Sequence, residues 1–293
     1  MRKLTLRTRS IACAMVSLGL SLHATAALAT ERHAAMPVPR PDAARTLVRI
    51  PQSDTISLSA SSVIAARPAP GSHAQSVTVY LHGLCGEPAH GCPYFHEGVA
   101  DRSLLVCPYA PRSCDGGGRT WSAPASVQRS TVDAAVAATT SAFGTTDGAA
   151  LPWVVVGFSQ GAYVARSLLR TAAGRVHAVA FIGAYVTLDR RDLDRAGVRR
   201  ALFAAGRGDG SAPTMRAAAA RLQRQGFDAR FLDLGATGHS YVPSAGSSGW
   251  RDALAWLQDG VGRTSTTIPA RTNATRTRTL VNATRVAWAA ARR

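Results

Sequence analysis

The chain has 293 residues, 46% of them hydrophobic, with a mean hydropathy of zero and a formal net charge of +17. That length and balance fit one globular domain with a large core and exclude a chain disordered throughout. The charge sits mostly at the ends: residues 1–29 hold four basic side chains and residues 261–293 hold seven, neither with an acid, which leaves +6 between them. Every basic residue except Lys3 is Arg, and none is interleaved with aromatics as a base-stacking surface would be, so nucleic acid is not an expected partner.

Residues 1–29 read as a secretory signal peptide: a basic start, an apolar run over 11–22, then Ala27-Leu28-Ala29, with cleavage expected after Ala29 and Ala26 as second choice. The run of about 12 residues falls short of the roughly 20 that span a bilayer. Localisation is therefore expected to be secreted or periplasmic. Residues 30–74, rich in Pro, Ala and Ser, are expected to form a poorly structured N-terminal extension with one strand near 55–60.

Regular alternation starts with an apolar β-branched run at 76–81, followed by His82-Gly83. A second strand is expected at 103–107, then a Gly-rich loop over 114–121 and a helix over 126–143. Strands follow at 153–156, 176–185, 201–205 and 229–234, and helices at 162–172, 214–225 and 249–258. Strands apolar on both faces, separated by helices, predict a doubly wound, mostly parallel α/β sheet with helices on both faces, spanning residues 75–260. The Arg/Thr/Ala-rich residues 261–293 are expected to be a disordered basic tail, with an anionic envelope surface as its candidate partner.

Cys13 leaves with the signal, and Cys85, Cys92, Cys107 and Cys114 remain. In an oxidising compartment four cysteines suggest two disulfides, with three possible pairings. The favoured ones join neighbours, Cys85–Cys92 and Cys107–Cys114, both lying in Gly/Pro-rich loops. No C-x-x-C occurs and His90 and His96 repeat no ligand spacing, so no metal site is expected.

Gly157-Phe158-Ser159-Gln160-Gly161 is a G-x-S-x-G sequence between a strand and a helix, the context that projects a Ser oxygen above a sheet. Ser needs a base, and the base an orienting acid. Two His lie downstream. His177 falls inside a strand, where a structural role is expected, whereas His239 lies in a loop after the last strand and is the candidate base. Asp209, in a Gly-rich loop after the 201–205 strand, is the candidate acid, with Asp189 or Asp192 in reserve. Backbone amides of Leu84 and Gln160 are the candidate oxyanion hole. Trp121 is a candidate for the acyl pocket or a packed surface aromatic.

Leu81-His82-Gly83-Leu84 together with the Ser159 segment resembles the carboxylesterase and acyl-protein thioesterase group of α/β hydrolases, close to dienelactone hydrolases. The resemblance covers roughly residues 76–260 and implies an α/β-hydrolase fold, ester or thioester substrates and no cofactor. Ala162 stands where that group usually has Gly, and Asp209 lacks the usual Val-Pro after it. Two other readings stay open: a cutinase- or acetylxylan-esterase-like polymer esterase, and a catalytically degenerate binding protein attached by its tail. A peptidase on the same fold is a further class.

Overall fold

The computed structural model describes residues 53–57, 62–144, 151–244 and 249–261. The expected signal peptide, most of the N-terminal extension and nearly all of the basic tail lie outside the described residues. Strands β1 (Ser53–Ser57), β2 (Ser62–Ala66), β3 (Ser76–Leu81), β4 (Ser103–Pro108), β7 (Trp153–Phe158), β8 (Val176–Ile182), β9 (Arg200–Ala205) and β10 (Asp228–Asp233) form one sheet in the order β1-β2-β4-β3-β7-β8-β9-β10. Only β2 runs against its neighbours; from β4 to β10 every pairing is parallel. A separate hairpin joins β5 (Arg112–Ser113) to β6 (Arg119–Thr120).

Side-chain alternation sorts the core into two layers. Val77, Val79, Leu81, Val155 and Phe203 face helices α2 (Ala125–Ala142), α3 (Gln160–Thr171), α4 (Arg190–Ala196) and α5 (Ala212–Arg224), which bury Val132, Leu168, Leu193 and Met215 against them. Tyr80, Leu105, Val154 and Val156 face α1 (Pro88–Val99) and α6 (Gly249–Gln258), whose Phe95, Leu254 and Leu257 close the other side. A sheet buried on both faces explains why its strands read as continuous apolar runs.

Three expectations are corrected. The sheet begins at Ser53 rather than near residue 75: β1 and β2 form an antiparallel pair within the supposed extension, and β2 docks on β4 with Val63, Ala65 and Ala66 buried. Ser62–Ala66 is five residues of small and apolar side chains, too short to show alternation, and its register is supplied by the neighbouring strand. Residues 88–99 are helix α1 rather than loop, despite Pro93 inside it. Burial of Cys92, Phe95 and Val99 overrides local propensity there.

The third correction concerns the disulfides. All four cysteines are bridged, but as Cys85–Cys114 and Cys92–Cys107, with Cα separations of 5.7 and 6.1 Å. Cys92 rides on α1 over β4, which carries Cys107. The hairpin brings Cys114 back to the loop after β3, where Gly86 bridges Arg119. Proximity across the fold, not along the chain, selected the partners. Two disulfides fit an oxidising compartment. No helix among the described residues is long and apolar enough to cross a membrane.

Candidate active site

β7 enters the sheet's centre and hands the chain to α3 through Ser159, whose φ of +52° and ψ of −115° are left-handed values rare for a side chain with a Cβ. The surroundings hold it there. Ser159 N–H donates to Ile182 O at 2.8 Å, and Ala162 N–H closes back onto Ser159 O at 3.0 Å. The turn also demands close backbone approach: a Cβ on Gly161 would stand 2.1 Å from Leu81 O. The amides of Gln160 and Gly161, the first two of α3, have no helical carbonyl one turn earlier to bond.

His239 Nε2 lies 2.9 Å from Ser159 Oγ, and its Nδ1 lies 2.8 Å from Asp209 Oδ2. These residues come from three separate loops at the carboxyl ends of β7, β9 and β10. The last two loops are stitched together by Arg207 N–H to Gly235 O (2.8 Å) and Gly208 N–H to Thr237 O (3.0 Å). Asp209 is buried, its other oxygen accepting Ser211 N–H at 2.8 Å, while His239 is half exposed. Burial alone would raise the Asp209 carboxyl. The Ser211 amide and hydroxyl and the His239 ring outweigh it and hold the group below the ordinary carboxylate value. Asp209 is thus ionised and aimed at the imidazole nitrogen distal to Ser159.

The reserve acids lie elsewhere. Asp189 precedes α4, and Asp192 pairs with Arg195 at 3.2 Å. Asp233 is engaged by Arg207 and Arg216. His177 is half-buried near the start of β8, at the opposite end of the sheet from Ser159, and burial lowers its ring below the usual histidine value.

Leu84 lies in the turn after β3, which Gly86 N–H closes onto Gly83 O at 3.1 Å, and is 62% exposed. Its neighbour Gly83 packs so closely on the elbow that a Cβ there would meet Phe158 and Ser159 Cβ at 3.1–3.2 Å. The Leu84 and Gln160 amides therefore belong to segments flanking Ser159. The Gln160 side chain accepts Trp121 N–H (2.9 Å) and the Thr120 hydroxyl (3.1 Å). Trp121 is buried, donating Nε1–H to His82 O at 3.1 Å. It is a fully buried strut beneath the site, neither of the two positions expected for it, acyl-pocket wall or packed surface aromatic. His82 is also fixed, its Nε2 accepting Ala110 N–H and its Nδ1 facing Gly83 O, with burial keeping the ring below the usual histidine value.

Sequence reasoning missed Gly183. Its φ is +58°, and a Cβ would stand 3.0–3.1 Å from Asp209 Oδ2 and the His239 ring, so only Gly leaves room for that pair. The one sequence signal was a Gly closing the β8 run. It also missed Phe158, whose ring lies 5.0 Å from that of His239 and 5.0 Å from Tyr241. Tyr163 and Tyr185, 45% and 59% exposed, are joined by Tyr185 N–H to Tyr163 Oη at 3.2 Å.

No protein-family model matches the chain, and no curated relative matches it. Among solved structures it is similar to a lipase in its open form, at 13% identity and TM-score 0.51, over 73% of this chain and 99% of that one. An uncharacterized protein from Bacillus cereus ATCC 10987 is similar at 14% identity and TM-score 0.51, over 67% and 63% of the two chains. TT1662 from Thermus thermophilus shares 23% identity at TM-score 0.49, over 71% and 96%. With β2 as the sole reversed strand, the left-handed strand–turn–helix after the fifth strand of the main sheet and the likeness to the lipase and the Bacillus cereus protein, the chain has the α/β-hydrolase fold.

Proposed function

We propose that the protein is a serine hydrolase that cleaves carboxylic ester or thioester bonds through an acyl-enzyme. The observation that carries this is the unbroken Ser159–His239–Asp209 relay, at 2.9 and 2.8 Å, starting from a serine on a left-handed turn. Ser159 Oγ attacks the carbonyl carbon as His239 Nε2 takes its proton, and Asp209 orients the ring and stabilises its cationic form. The negative oxygen is held by the Leu84 and Gln160 amides. His239 returns the proton to the leaving alcohol or thiol as the tetrahedral adduct collapses. Water then adds to the acyl-enzyme with His239 again as base, releasing the acid and restoring Ser159. The chemistry needs no cofactor.

Ser159→Ala is expected to lower ester kcat by on the order of 10⁵-fold and to abolish labelling by a fluorophosphonate probe, with the circular dichroism of the folded protein retained. Undiminished turnover by this variant would overturn the assignment. Export follows the same reading: the mature chain is expected to begin at Thr30, checked by mass spectrometry of the secreted or periplasmic protein. The basic tail is proposed to attach the enzyme to anionic envelope material. Truncation after Gly260 should then remove salt-dependent retention on it.

A further inference from the structure

Between α3 and α4 lies a cleft of about 290 Å³ with an apolar floor, Leu169 and Leu188, and a basic rim, Arg166, Arg170 and Arg195. The one carboxylate on its edge, Asp192, pairs with Arg195 at 3.2 Å. Arg166 Nε is buried without a hydrogen-bond partner, and Arg170 has no ion pair among the described residues. Three guanidinium groups against one carboxylate leave the cleft short of negative charge. Guanidinium is well matched to a carboxylate or phosphate.

The position of the cleft ties it to the reaction. Tyr163, Arg166 and Arg170 are spaced i, i+3, i+7 and so share one stripe of α3. The stripe begins one turn beyond Ser159, and Arg166 stands about 10 Å along the helix from it. Tyr163 and Tyr185 occupy the interval, with Tyr185 Oη only 2.8 Å from where a Cβ on Gly210, next to Asp209, would stand. From the triad outward the surface therefore runs aromatic and then cationic.

We propose that this cleft is a substrate subsite for an anionic group, carboxylate or phosphate, carried about 10–16 Å from the scissile carbonyl, the reach from Ser159 to Arg166 and Arg170 along α3, the two tyrosines packing on the apolar chain between. The inference rests on the ester-hydrolase reading of Ser159. It is tested with p-nitrophenyl half-esters of linear dicarboxylic acids, from succinate to dodecanedioate, each against the neutral p-nitrophenyl ester of equal chain length. The kcat/KM ratio of half-ester to neutral ester should be near one for succinate and rise to about tenfold at lengths that reach the cleft, through KM, and fall as salt is raised. Inorganic phosphate should compete with the long half-esters. Arg166→Gln, and separately Arg170→Gln with Arg195→Gln on the exposed rim, should return the ratio to near one. A ratio near one at every length, or a preference that survives both variants, overturns the subsite. Turnover of neither ester series overturns the hydrolase reading itself, so the two failures are distinguishable.

Discussion

Two segments border Ser159 and are held by opposite means. Residues 153–163 carry the turn in one short stretch, an apolar strand, a tight turn and a helix within eleven residues, clasped by backbone contacts to Ile182 O and Leu81 O. Residues 82–121 form the other border through partners far along the chain. Cys85 is tied to Cys114, His82 accepts from Ala110 N–H, Trp121 donates to His82 O, and Gln160 reaches across from the turn to Trp121. The Ser159 turn is thus held by backbone contacts to the sheet, whereas the loop that carries Leu84 is held by side-chain cross-links. Damage to the first should cost the fold, and damage to the second should loosen the site while the sheet persists.

The sharpest way to break the first segment is Gly161→Ala. Its methyl group would sit 2.1 Å from Leu81 O, with backbone on both sides of the clash. A loss of about 4 kcal/mol or more in folding free energy is expected from denaturant titration, together with loss of fluorophosphonate labelling. In the second segment, Cys85→Ser with Cys114→Ser opens a cross-link spanning 29 residues and should cost about 3.5 kcal/mol. The sheet's far-ultraviolet circular dichroism should survive while kcat falls. If the double variant keeps wild-type kcat, the loop does not need its staple.

Trp121→Phe is milder. It keeps an aromatic in the core but leaves His82 O without its indole donor, for an expected loss of about 1–2 kcal/mol seen as a lowered Tm. The smallest effect concerns pH. Asp209 is depressed in the folded protein, so its ionised form contributes stability that is fully present above its unfolded value, about 3.9, and is lost as pH falls through the lower folded value. The Tm gap between wild type and Asp209→Asn should therefore hold from neutral pH down to about pH 5 and close below about pH 4. A gap that closed near neutrality would show that Asp209 is not held ionised by Ser211 and His239.

Legibility along the chain followed the same division. The strands at 76–81, 103–107 and 153–156 and the helix at 249–258 could be read closely, because burial on both faces or an amphipathic period writes itself into consecutive residues. The expected strand over 176–185 ends at Ile182, since Gly183 turns the chain beside Asp209. Helix α1 was not readable, because Gly91 and Pro93 argue locally against it and only its packing on Tyr80 and Trp250 argues for it.

Ser159 as the serine of a strand–turn–helix, and Asp209 and His239 as residues of loops after later strands, were determined by the sequence alone. Chain order and strand alternation suffice to put all three at one edge of a parallel sheet. Which acid meets His239, which cysteines pair, and what lies beyond Ser159 along α3 were decided only by the tertiary structure. The acid and cysteine contacts join residues 15 to 30 positions apart, and their selection depends on strand register, loop stitching and helix packing, none of which has a period that a linear pattern can carry.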